Sequence, residues 1–155
     1  MVKTNVIRLL ELRNIKHTVK EYMFDENEID AVSVANKINA NPEQVFKTLL
    51  TRGDKTGPVV FVIPGNFSLD LKKAASISGN KKIEMIKEKE LFPLTGYIKG
   101  GCSPIGMKRN FKTFIDETAQ MWENIYVSAG LRGLQVCLIP DDLKNVSEAD
   151  FGDLI

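Results

Sequence analysis

The spacing of apolar residues along the chain predicts short helices and strands in mixed order. Apolar positions recur every three or four residues over 4–13, which predicts an amphipathic helix with Thr4 as its N-cap. Residues 17–22 alternate and predict a strand, whereas residues 24–30 are acidic and predict a loop. The β-branched run over 59–63 predicts a buried strand.

The same patterns predict the remaining elements. Further strands are predicted at 46–51, 83–86, 97–98, 111–116, 125–128 and 134–139. Further helices are predicted at 32–38, 69–78, 88–92 and 140–146, and one around Ala119. Asn41 is expected to cap another helix, with Pro42 at its first position, and Gly79 is expected to end the helix at 69–78.

Strands outnumber helices and are interspersed among them, which predicts an α+β fold. We expect one domain over residues 1–155, with a central mixed, largely antiparallel sheet flanked by helices. A chain of 155 residues that is 43% hydrophobic can bury one sizeable core.

Charge is nearly balanced, with 21 basic and 20 acidic residues and a net charge of +1. Proteins that bind nucleic acid over a broad surface are usually strongly basic, so any RNA contact must be a local patch. The candidates are Lys72 with Lys73, Lys81 with Lys82, and Lys108 and Arg109 with Lys112. Each of these patches could equally be ordinary solvated surface.

Several kinds of chemistry are excluded by composition. His17 is the single histidine, so a histidine-rich zinc site is impossible, and the two cysteines cannot supply three ligands. No phosphate-binding or dinucleotide-binding glycine motif is present. We therefore expect no metal and no cofactor. The sequence shows no secretory signal and no apolar run long enough to span a membrane, which favours a reduced, cytoplasmic setting.

Residues 96–108 carry four glycines, Pro104 and two lysines, and they are the most distinctive segment of the chain. Adjacent glycines let the backbone approach a ligand closely, so several amides can be aimed at one oxygen. The alternative is that this segment only connects two strands of a hairpin and binds no ligand. Lys47, which follows two apolar residues at a helix–strand junction, could extend into a cleft or lie on the surface.

Five segments, 41–49, 69–74, 81–85, 96–108 and 127–135, resemble in order and spacing the YbaK/EbsC family of aminoacyl-tRNA deacylases. These are free-standing relatives of the editing insertion of bacterial prolyl-tRNA synthetase. The resemblance covers about residues 4–143, and it implies that family's editing-domain fold.

The resemblance also implies a site. Lys47 matches the key functional lysine of a Val-(Phe/Tyr)-Lys-Thr pattern, and Gly100 and Gly101 match the catalytic glycine loop, whose amides would stabilise an oxyanion. The implied substrate-binding residues are Tyr22, Thr48, Cys102, Ser103, Pro104, Ser128, Arg132 and Gln135. Gln135 stands where relatives carry an acid, and residues 29–31 stand where some carry an aromatic side chain.

The family's substrate is cysteine wrongly attached to the tRNA for proline, and the substrate's own thiol attacks its own ester. The resemblance therefore implies an enzyme that clears Cys-tRNA(Pro) in trans, binds the acceptor end of tRNA(Pro), and has prolyl-tRNA synthetase as a potential partner. Cys102 is expected not to be a nucleophile, since no histidine lies near it in sequence. The alternatives are a deacylase of Ala-tRNA or another small aminoacyl-tRNA, a non-catalytic tRNA- or synthetase-binding regulatory module, and a small-molecule-binding domain.

Overall fold

The structure is a computed structural model that describes residues 2–155. The helices are α1 (Asn5–Leu12), α2 (Ala31–Lys37), α3 (Leu71–Ser78), α4 (Glu88–Thr95) and α5 (Pro140–Val146), with a 3₁₀ turn at Glu117–Met121. The strands are β1 (His17–Glu21), β2 (Phe46–Gly53), β3 (Gly57–Pro64), β4 (Ile83–Met85), β5 (Thr113–Asp116), β6 (Ile125–Ser128), β7 (Leu134–Leu138) and β8 (Ala149–Gly152).

The strands form two sheets. The larger has the order β4-β2-β3-β5-β8, with β3, β5 and β8 parallel, and the smaller is the antiparallel sheet β1-β7-β6. Four of the six pairings formed by residues 2–155 are antiparallel, which confirms the predicted mixed, largely antiparallel α+β fold. The single central sheet that we expected is instead two sheets, joined by a parallel bridge between Val45 and Tyr126.

Apolar side chains fill the space between the two sheets and α1. Val6, Ile7 and Leu10 of α1 pack there with the inward faces of both sheets, and all three are buried. The other face of β3 packs against α3, so β3 is buried on both sides. This double burial explains its uninterrupted apolar run.

Local capping signals in the sequence are confirmed. Thr4 caps α1, and its hydroxyl oxygen accepts a hydrogen bond from the Ile7 amide. Gly79 ends α3 in the left-handed conformation, with φ at +76°. Within residues 2–155 no helix is long and apolar enough to cross a membrane.

Two local predictions are wrong, and one strand was not predicted. The helix expected from Asn41 is a single turn, because the chain is drawn at once into sheet contact: the Tyr126 amide donates to the Gln44 carbonyl. Residues 97–98 form no strand, since the Tyr97 amide donates to the Thr95 hydroxyl and its phenol donates to the Ile105 carbonyl. The edge strand β8 was not predicted.

Candidate functional site

A cleft of about 530 Å³ opens where the two sheets meet, between the acidic loop before α2 and the glycine-rich loop after α4. Six of the eleven predicted site residues line it: Lys47, Thr48, Gly100, Cys102, Ser128 and Gln135. The other five, Tyr22, Gly101, Ser103, Pro104 and Arg132, lie around the cleft rather than in its lining.

Strand register accounts for the floor of the cleft. Ser128 of β6 is paired with Gln135 of β7. The isolated parallel bridge between Val45 and Tyr126 brings β2 close to β6, and Lys47 and Ser128 both line the cleft. Directly opposite residues of paired strands share a face, so Ser128 and Gln135 lie side by side, and Lys47 of the larger sheet joins them in the lining of the cleft.

Lys47 is a half-buried cation whose ammonium donates to the Gly65 carbonyl at 3.1 Å. Burial lowers the pKa of Lys47, and the nearby charge of Asp30 acts in the opposite direction. No carboxylate among residues 2–155 lies within ion-pair distance of its ammonium. A lysine has three N–H donors, so two remain for a ligand such as a phosphate or ribose oxygen.

Gly65, which accepts the hydrogen bond from Lys47, lies where three backbone segments approach closely. A Cβ atom at Gly65 would lie 2.5 Å from the Ala31 side chain and 2.8 Å from the Val45 carbonyl oxygen. The close approach of these three backbones places the Gly65 carbonyl under the ammonium of Lys47. Sequence reasoning missed this residue, although a glycine directly after a buried strand and a proline can indicate such an approach.

Two oxygen atoms in the cleft lining have no hydrogen-bond partner. They are the Thr48 hydroxyl and the Gln135 side-chain carbonyl, and both are buried and unpartnered among residues 2–155. An unsatisfied buried polar group costs about 1–3 kcal/mol. A bound ligand with N–H or O–H donors would remove that cost, so the cleft is suited to a polar ligand.

The glycine-rich loop contains free amides, although not all of those expected. The Gly101 amide donates to the Ile98 carbonyl at 2.9 Å inside a turn, so it is not free for a ligand. Among residues 2–155 the amides of Gly100, Cys102 and Ser103 have no acceptor. Gly100 and Cys102 line the cleft, and their amides are the candidates for binding an oxyanion.

Gly100 has to be glycine for two reasons. Its φ is +85°, and a Cβ atom there would lie 2.9 Å from Ile29 and 3.2 Å from the Arg132 guanidinium. Arg132 supports the loop from outside, since its Nε donates to the Lys99 carbonyl at 2.8 Å. Tyr22 lies beside Arg132 in a separate surface depression, away from the cleft.

Ser103 and Pro104 are structural in this geometry. Ser103 is fully buried, and its hydroxyl oxygen accepts a hydrogen bond from the Ile105 amide at 3.3 Å. Pro104 is buried and lines a different groove on the far side of the loop. Both residues shape the loop instead of touching a ligand in the cleft.

Cys102 lies in the cleft as an unreactive thiol. Burial raises its pKa to about 12, so the thiol is protonated near neutral pH. His17 lines another depression, where its Nδ1 donates to the Ile15 carbonyl. A Cys–His pair, which would activate the thiol as a nucleophile, is therefore not formed by these residues.

Sequence reasoning also missed the acidic side of the cleft. Glu26, Asn27 and Asp30 line it, and Asp30 additionally caps α2 by accepting from the Ser33 amide and hydroxyl. These hydrogen bonds lower the pKa of Asp30, which keeps a negative charge beside Lys47. Among residues 2–155 no three His, Cys, Asp or Glu side chains are grouped as a metal site.

One family profile and several known proteins are similar to this chain in sequence or in structure. The sequence profile of the aminoacyl-tRNA editing domain matches residues 25–146. A candidate Cys-tRNA(Pro)/Cys-tRNA(Cys) deacylase of Enterococcus faecalis, EbsC, is 47% identical over 98% of this chain and 93% of its own. A proline–tRNA ligase of Kosmotoga olearia is 31% identical over 76% of this chain and 22% of its own. The crystal structure of a candidate trans-editing enzyme for prolyl-tRNA synthetase superposes with a TM-score of 0.82, at 25% identity over 97% of both chains.

Proposed function

We propose that this chain, which belongs to the aminoacyl-tRNA editing domain family of enzymes, clears mischarged Cys-tRNA(Pro) in trans and so protects translation fidelity. The observation that supports this most is the content of the cleft. It combines a cation with free donors, free loop amides and a protonated thiol that has no histidine beside it. Such a site can orient an ester and stabilise an oxyanion, but it offers no activated side-chain nucleophile.

The proposed reaction takes its nucleophile from the substrate. The thiol sulfur of the cysteinyl group attacks the ester carbonyl of the same residue, and the carbonyl oxygen becomes an oxyanion. The bond to the ribose oxygen then breaks, and that oxygen takes up a proton equivalent to the one lost by the thiol. The products are a cyclic thiolactone and free tRNA. Orientation of an intramolecular reaction can supply about 7–11 kcal/mol, so positioning is the enzyme's main contribution.

Each cleft group has a role in this proposal. Lys47 holds a phosphate or ribose oxygen of the terminal nucleotide and so fixes the ester. The free amides of Gly100 and Cys102 bind the oxyanion, and losing one such donor typically costs about 2.7–4 kcal/mol. Thr48 and Gln135 line the cleft and are candidates for polar contacts with the substrate.

The proposal takes residues 1–155 as one deacylase domain that works in the cytoplasm on the acceptor end of tRNA(Pro). The cleft is small beside a whole tRNA, which is consistent with recognition of the terminal nucleotide and its aminoacyl group. Selection of tRNA(Pro) among other tRNAs would then fall to a partner, and prolyl-tRNA synthetase is the partner we propose.

A panel of aminoacyl-tRNAs tests the proposed substrate. Purified protein is incubated with cysteinyl-, alanyl-, seryl- and prolyl-tRNA, all on the tRNA(Pro) body, and the release of free tRNA is measured. We expect cysteinyl-tRNA to be deacylated fastest and prolyl-tRNA to be spared. If free tRNA is released fastest from alanyl-tRNA, the protein is an alanyl-tRNA deacylase instead. If aminoacyl-tRNA binds but no free tRNA is released, the protein is a regulatory module.

Replacing Cys102 by serine should leave most of the activity intact. The thiol is protonated and lacks a histidine partner, whereas the backbone amide that we propose for the oxyanion is kept in the serine variant. The turnover of Cys-tRNA(Pro) by Cys102→Ser is compared with that of wild type, with and without a metal chelator. A folded but inactive Cys102→Ser protein, or an acyl group trapped on Cys102, would show instead that the protein supplies the nucleophile.

A further inference from the structure

We propose that the RNA strand leaves the cleft on the side of the glycine-rich loop and not on the acidic side. Its backbone phosphates then bind in a groove lined by Arg13 and Arg109. This inference rests on the proposed function, since it concerns the path of the substrate's 3′ strand outside the catalytic cleft. Two observations support it: the distribution of charge around the cleft, and the ion pairs that basic residues elsewhere on the surface form.

The two sides of the cleft have opposite charge. The loop before α2 carries Asp25, Glu26, Glu28 and Asp30 within six residues, and Glu26 and Asp30 line the cleft. Across the cleft, Lys99 and Gly100 of the glycine-rich loop line it, and residues 96–112 contain no acidic residue. A phosphate backbone is repelled by the first side and attracted by the second, so the strand should exit over the glycine-rich loop.

In each of the three basic patches, an ion pair makes one cation less available to RNA. Lys73 pairs with Asp153 at 2.9 Å, Lys82 pairs with Glu84 at 3.0 Å, and Lys112 pairs with Asp150. Each of the three candidate patches thus has one cation with an acidic partner. Lys108 and Arg109 form no ion pair among residues 2–155, which makes theirs the patch with two adjacent uncompensated charges.

The groove lies directly behind the glycine-rich loop and has a volume of about 240 Å³. Arg13, from the end of α1, and Arg109 both line it, and neither forms an ion pair with residues 2–155. Glu148, an acid near the groove, is engaged by the Asn110 amide at 2.6 Å. Two exposed guanidinium groups can bind phosphate oxygens in a bidentate manner.

The groove is also close enough to the cleft to hold the same strand. Cys102 lines the cleft and Pro104 lines the groove. Two residues of extended chain span at most about 7 Å, so these two lining positions lie close together along the loop. A single-stranded 3′ end that enters the cleft can therefore continue into the groove within a few nucleotides.

The test compares two variants that lose the same charge. Arg13→Gln/Arg109→Gln alters the groove, and Lys72→Gln/Lys81→Gln removes two lysines elsewhere that form no ion pair among residues 2–155. Both are assayed with Cys-tRNA(Pro) over a salt series and with 3′-O-cysteinyl-adenosine, which has no upstream phosphate. Thermal unfolding of both variants is measured to verify that they are folded.

We expect the groove variant to raise KM for Cys-tRNA(Pro) about tenfold with kcat unchanged, and to reduce the salt slope by about 1.4, as for two contacts to single-stranded phosphates. Its activity on cysteinyl-adenosine should equal that of wild type, and the lysine variant should resemble wild type throughout. An unchanged KM and salt slope, or an equal loss on cysteinyl-adenosine, would overturn the proposal.

Binding of an uncharged RNA hairpin with a single-stranded CCA end separates this inference from the proposed function. Wild type should bind this hairpin more tightly than the groove variant even if no aminoacyl-tRNA is deacylated. Equal RNA affinity of the two proteins, combined with weaker binding of prolyl-tRNA synthetase by the groove variant, would assign the groove to a protein partner and contradict the proposal.

Discussion

Replacing Lys47 by alanine is expected to abolish deacylation of Cys-tRNA(Pro), with a loss of at least about 10²–10³-fold, as for removal of a positioned donor in an active site. Lys47 is half-buried in the cleft, and the Gly65 carbonyl fixes its ammonium at 3.1 Å. Because the proposed enzyme works by orientation, loss of the group that holds the terminal nucleotide should remove most of the rate. Single-turnover release of free tRNA measures the effect.

The matched control is Lys20→Ala. Lys20 is a strand lysine paired with Gln135 across β1 and β7, but it is exposed and does not line the cleft. This control should keep wild-type turnover, and both variants should unfold at nearly the wild-type temperature. Unchanged turnover in a folded Lys47→Ala protein would remove Lys47 from the proposed mechanism.

Much of the fold could be predicted because many of its elements are determined locally. The cap at Thr4, the apolar stripe of α1 and the stop at Gly79 all act within a few residues, so their signals are present in the sequence. The run over 59–63 is apolar on both faces because β3 lies between two packed layers.

The errors arise where tertiary contacts decide the outcome. Asn41 carries a good helix-start signal, but the pairing of Val45 with Tyr126 extends the chain four residues later. β8 has no alternating pattern and is a strand because it pairs with β5 at the edge of the sheet. Propensity is a weak guide wherever such a long-range pairing competes with it.

The candidate site also has parts that short sequence motifs predict and parts that depend on the three-dimensional structure. Lys47, Thr48 and Gly100 belong to short sequence motifs, and the structure places all three at one cleft. That Gly101 uses its amide inside the loop, and that the Gly65 carbonyl holds Lys47, depends on backbone geometry. The opposite charges on the two sides of the cleft also become visible only when Glu26 and Asp30 are brought opposite Lys99.

Exchanging the substrate's sulfur for oxygen is expected to slow the reaction by at least about a hundredfold, because a thiol is a few per cent thiolate near pH 7 and is far more nucleophilic than a hydroxyl. The seryl ester differs by this one atom, so it should fit the same cleft and meet the same loop amides. A nucleophile from the protein, or an activated water, would not use that atom and would be nearly indifferent to the exchange.

The most direct test of the account is single-turnover deacylation of cysteinyl-tRNA and seryl-tRNA on one tRNA(Pro) body, with the first product identified by mass spectrometry. We predict rapid release from cysteinyl-tRNA with a thiolactone as the first product, and release from seryl-tRNA at least about a hundredfold slower, in line with the lower nucleophilicity of the hydroxyl. Similar rates for the two esters, or free cysteine as the first product without a cyclic intermediate, would contradict the substrate-assisted mechanism.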